Sequence, residues 1–73
     1  MKLGVIDSPN KENCHGKHVV ESAEDTDWQG TTDLREIDQD CTGTETSSVI
    51  YNLIRAMADE GFNGPLNISW GAG

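Results

Sequence analysis

A chain of 73 residues that is 34% hydrophobic and 25% charged describes one domain, residues 1–73, with a lean core, since chains this short bury only about 60% of their unfolded surface. The formal net charge of -8 argues against direct contact with nucleic acid or an anionic membrane, and no apolar run approaches the roughly 18 residues of a membrane span. The first residues lack the apolar core of a secretory leader, so the expectation is a soluble, cytoplasmic protein with Cys14 and Cys41 as reduced thiols.

Residues 1–6 predict a short strand in which Leu3 and Val5 share a face, stopped by the turn residues Asp7-Ser8-Pro9-Asn10. The β-branched content of Lys17–Ser22 predicts a second strand, paired to the first as a hairpin. The connecting loop, residues 7–16, is longer than the usual 2 to 5 residues and is therefore a candidate working surface. Residues 31–38 fit either a strand or a short helix opened by Asp33 with Glu36 as its capping-box partner, with the strand favoured. Val49, Ile50, Leu53, Ile54 and Met57 then form one apolar stripe on a helix from about 44 to 60. Thr42, Thr44 and Thr46 offer N-cap hydroxyls, Thr42 and Glu45 have capping-box spacing, and Gly61 stands at the C-terminal stop. Beyond Phe62-Asn63-Gly64-Pro65, Leu66, Ile68 and Trp70 alternate on one face of a half-buried strand. The expected fold is α+β: a small, mostly antiparallel sheet of three to four strands with one main helix packed on it.

Three local patterns carry chemistry. Val5-Ile6-Asp7-Ser8, His15-Gly16-Lys17-His18-Val19 and Asn67-Ile68-Ser69-Trp70-Gly71 resemble, in this order, the aspartate, histidine and substrate-strand motifs of subtilisin-like serine proteases. The resemblance covers about 14 residues. It implies that Asp7 orients His15 and that the segment around Ser69 and Gly71 lines a substrate cleft. Two departures stand against it: only seven residues separate Asp7 from His15, where the family has a helix and a strand, and no serine nucleophile motif or oxyanion asparagine follows. A triad without its nucleophile loses nearly all its rate.

Cys14, His15 and His18, with Asp7 or Cys41, are of ligand type for Zn²⁺, but adjacent Cys14 and His15 close poorly on one tetrahedral ion. Neither metal nor cofactor is expected. Asp38/Asp40 and Glu24/Asp25 lack the apolar flanks that would separate their pKa values for acid–base work. The Asn67-Ile68-Ser69 sequon is discounted in a chain read as having no leader.

The charge itself is localised. Residues 21–45 hold nine carboxylates against Arg35 alone, whereas the acids and bases elsewhere cancel. This favours a non-catalytic binding or inhibitor protein whose acidic surface occupies a basic, nucleic-acid-binding cleft of a partner protein. Small bacteriophage inhibitors of the anti-CRISPR and antirestriction type are similar in size and charge. The expected contacts are Glu24, Asp25, Asp27, Trp28, Asp33, Glu36, Asp38 and Asp40, with Trp28 as either an interface anchor or a satellite core residue. The alternative is a subtilisin-like hydrolase fragment or metal-dependent domain using Asp7, Cys14, His15 and His18.

Overall fold

The computed structural model describes residues 2–25, 30–42 and 45–69. Its elements run β1 (Lys2–Asp7), α1 (His15–Glu24), β2 (Thr31–Glu36), α2 (Ser47–Asp59) and β3 (Leu66–Ile68). The strands form one sheet in the order β2-β1-β3, and both pairings are parallel. The described residues are thus α+β with two helices, and the expected antiparallel sheet with a single main helix is overturned.

The Lys17–Ser22 segment explains the error, because it lies inside α1 and no hairpin forms. Its β-branched residues suggest a strand locally, but parallel neighbours need a crossover long enough to return the chain, and that crossover is normally a helix. The helical signal was present in Gly16, Val19, Val20 and Ala23, spaced i, i+3, i+4, i+7 and all buried or half-buried.

β1 is the central strand, so it needs apolar residues on both faces; Val5 and Ile6 are both 0% exposed. The two helices cover opposite faces. Ile6 joins Ile37, Ile50 and Met57 in the main core, with Val49, Leu53, Ile54 and Phe62 packed around them. On the other face α1 lies over β1 and β2, and Glu24 near its end accepts a hydrogen bond from Thr32 Oγ1 at 2.8 Å.

The helix predicted over about 44–60 spans Ser47–Asp59, with Thr46 at its N-cap and no side-chain capping bond from it; Thr44 lies outside the described residues. Its stop is the expected one. Gly61 adopts φ 80°, and the N–H groups of Gly61 and Phe62 donate to Ala58 and Met57 carbonyls at 3.0 and 2.9 Å, the doubled closure of a Schellman motif. The strand expected at Leu66–Trp70 is shorter and more open than predicted. β3 is an edge strand in which Leu66 is 37% and Ile68 43% exposed, and Trp70 is outside the described residues.

A disulfide joins Cys14 to Cys41, which corrects the expectation of free thiols. Closing a loop across a sequence separation of 27 stabilises a fold by about 3 to 4 kcal/mol on chain-entropy grounds. No helix among the described residues is long and apolar enough to cross a membrane.

Candidate functional site at the carboxyl ends of the strands

β1 leads into α1 on one face of the sheet, while β2 leads into α2 on the other. The chain therefore diverges at the carboxyl ends of two neighbouring strands, the place where open parallel sheets form ligand crevices. The loop over residues 7–16 crosses this end. Asp7 closes β1 here, and the Ile37 N–H donates to its carbonyl at 2.9 Å, fixing the end of β2 beside it.

The Asp7 carboxylate is 2% exposed and fully engaged. Oδ1 accepts from the Ser8 N–H at 2.6 Å and from Ser8 Oγ at 3.2 Å. Oδ2 lies 2.8 Å from His15 Nδ1. A carboxylate can only accept, so Nδ1 carries the proton and Nε2 of the neutral ring is left as the acceptor. The imidazole itself is 65% exposed. A buried acid thus holds an accessible base in one tautomer.

Local sequence builds this arrangement. Cys14 occupies the N-cap of α1 but makes no side-chain capping bond, its sulfur being joined to Cys41. The orphan N–H of Gly16 finds another acceptor, Ser8 Oγ, at 2.9 Å. Ser8 therefore links the Asp7 carboxylate to the first turn of the helix that carries His15. Gly16 permits the approach, because a Cβ there would run into the Ser8 carbonyl oxygen. Helix, turn and carboxylate form one unit.

An open groove of about 580 Å³ extends from His15 along the α1 face, with Leu3 and Val19 as its apolar lining and His18, Asn67 and Ser69 as polar neighbours. Ser69 is held by its N–H, which donates to the Ile6 carbonyl at 2.9 Å. Residues of the second and third sequence patterns thus border one groove, and the first reaches it only through the hydrogen bond of Asp7 to His15. Among the described residues, no serine hydroxyl is hydrogen-bonded to the imidazole.

The structure does not assemble the metal-binding set. Cys14 is committed to the disulfide, and no group of three or more His, Cys, Asp or Glu among the described residues is placed to hold a metal ion.

The acidic residues are dispersed. Register puts Asp33 and Arg35 on the α2 face, opposite Gly4 and Ile6 in β1, and Glu36 on the α1 face, as partner of Asp7. Arg35 donates to Asp33 through Nε and Nη2, each at 2.9 Å, and to Glu60 through Nη1 at 2.9 Å and Nη2 at 2.7 Å. These bonds hold the Asp33 and Glu60 carboxyls below their ordinary range and raise the guanidinium further above its own. Asp38 Oδ1 accepts from the Cys41 N–H and Asp40 Oδ1 from the Thr42 N–H, ordering the loop after β2. Glu24 and Asp25 lie exposed at the far end of α1, while Asp27 and Trp28 are outside the described residues. Ser8 and Gly16 stand inside the motifs quoted from the sequence, but their roles in linking the carboxylate to α1 were not read there; the helical spacing of Gly16 with Val19, Val20 and Ala23 was the signal for the second.

No protein-family model, curated protein or solved structure matches the chain.

Proposed function

We propose that the chain carries the Asp–His acid–base pair and one wall of the cleft of a subtilisin-like serine hydrolase, with Asp7 orienting His15 and Nε2 acting as the proton acceptor. The observation behind this reading is the 2.8 Å contact between buried Asp7 Oδ2 and His15 Nδ1. It joins two motifs whose resemblance was noted from sequence alone, and Ser69, from the third, borders the same groove. Among the described residues the acidic side chains supply no comparable constellation, since Asp33 is engaged by Arg35 and Glu36 lies on the opposite face of the sheet. The binding-protein reading is therefore less well supported than the hydrolase reading. Paired cysteines also fit an oxidising compartment better than the cytoplasm expected from sequence.

In chemical terms, an imidazole held in the Nδ1–H tautomer accepts a proton from a hydroxyl or water at Nε2, and the buried carboxylate stabilises the imidazolium that results. Hydrolysis of an activated nitrophenyl ester tests this. Turnover should disappear in His15→Ala, fall roughly tenfold or more in Asp7→Asn, and persist in His18→Ala. Equal rates in the His15 and His18 variants would show ordinary surface imidazole chemistry and refute the proposal. Ser69→Ala in the same assay shows whether that hydroxyl takes part.

A further inference from the structure

We infer that the Cys14–Cys41 disulfide is a redox control on the Asp7–His15 pair, setting whether His15 is held against the carboxylate. The inference rests on the hydrolase reading and adds a regulator to it. Cys14 immediately precedes His15 and is the N-cap of α1, so whatever holds its backbone also sets where the imidazole begins. Its partner belongs to a different loop, beyond β2. The bond thus clasps the histidine-bearing helix to the loop that follows the neighbouring strand.

Three observations favour a switchable clasp over a permanent staple. Cys14 is 0% exposed but Cys41 is an exposed residue, so an external thiolate can approach the bond only from the Cys41 side. Attack on Cys41 Sγ expels the Cys14 sulfur as a thiolate at the N-cap of α1, the end of a helix whose dipole favours negative charge. Finally, the backbone flanking the bond is held in the left-handed region at non-glycine residues, Asn13 at φ 67° and Cys41 at φ 65°. Each such residue carries a conformational cost that opening the bond allows the chain to relieve.

The chemistry balances with a dithiol as the reductant. Its first thiolate forms a mixed disulfide with Cys41 as the Cys14 thiolate departs. Its second thiolate then closes a cyclic disulfide and releases Cys41. Two electrons and two protons pass from the reagent to the chain.

The test uses the whole chain with dithiothreitol as the probe and imidazole ¹⁵N shifts as the readout, which separate Nδ1–H from Nε2–H tautomers. The expected result is that oxidised protein shows His15 as Nδ1–H, that reduction converts it to a mixture resembling His18, and that reoxidation restores it. Cys41→Ser should match the reduced protein while keeping a dispersed amide spectrum. An unchanged His15 tautomer after reduction overturns the inference, and so does collapse of the amide spectrum, which would make the bond a simple staple. Failure of the hydrolase reading looks different. Oxidised protein would then show a His15 tautomer that Asp7→Asn does not alter, and both proposals would fall.

Discussion

Gly16→Ala separates two opposed expectations by sign. On helix propensity alone, alanine in place of a glycine inside α1 stabilises by roughly 1 kcal/mol. The local packing demands the reverse. An added Cβ would occupy space already filled by the Ser8 carbonyl oxygen, with the Pro9 carbonyl only 3.0 Å away, and both are backbone atoms that cannot rotate aside. The first turn of α1 must withdraw, lengthening the 2.9 Å bond from Gly16 N–H to Ser8 Oγ. Overpacking of this kind costs about 1 to 3 kcal/mol, and a lost hydrogen bond adds about 1 kcal/mol. Against the propensity gain, the net destabilisation is about 1 to 3 kcal/mol, or roughly 4 to 24 °C in thermal midpoint for a domain of this size. The same withdrawal should carry His15 Nδ1 beyond hydrogen-bonding reach of Asp7 Oδ2. Calorimetry paired with the His15 ¹⁵N tautomer spectrum reads both effects. A variant with a raised midpoint and an unaltered His15 tautomer would refute the packing argument and the role assigned to Ser8.

Two further outcomes follow from the core and from the Arg35 cluster. Met57 is 2% exposed, so Met57→Ala should cost about 2 to 5 kcal/mol in chemical denaturation; Leu53 is only half-buried and its alanine variant should cost clearly less. Asp33 and Glu60 are held below their ordinary values of 3.8 and 4.5 mainly by hydrogen bonds from Arg35. Groups with depressed folded values stabilise the fold above their unfolded values and lose that contribution as pH falls through the folded ones. Arg35→Met should therefore flatten the decline in stability below about pH 4.5, and an unchanged acid limb in urea titrations would show that the cluster contributes nothing.

The chain's own pattern identified some elements and concealed others for physical reasons. The α2 stripe was legible because Val49, Ile50, Leu53, Ile54 and Met57 repeat with helical period and Gly61 marks the end. β1, β2 and β3 were legible as strands, but strand direction was not, because parallel and antiparallel pairing depend on what lies between strands. That turned on Lys17–Ser22, where valines and a histidine mask a helix whose apolar stripe is only four residues long. The spacing of only seven residues between Asp7 and His15 counted against the pair in the sequence. With α1 in place, the seven intervening residues are enough for the loop to fold back and present Nδ1 to the carboxylate. The charge of residues 21–45 was legible as composition but not as a surface, because alternation along β2 sends Asp33 and Glu36 to opposite sides.

The central position of β1 bears on how the chain reaches its structure. The strand made first pairs on one side with β2 and on the other with β3, where Gly4 lies beside Leu66. Its partners emerge from the ribosome in turn, the second only after α1, β2 and α2. Until then Val5 and Ile6, fully buried in the finished sheet, have one flank uncovered. Assembly governed by such distant pairings is slow, and a nascent apolar strand left waiting is open to wrong partners. The helices form from neighbouring residues and can appear early, so the sheet, and the carboxylate at the end of its middle strand, should be completed last.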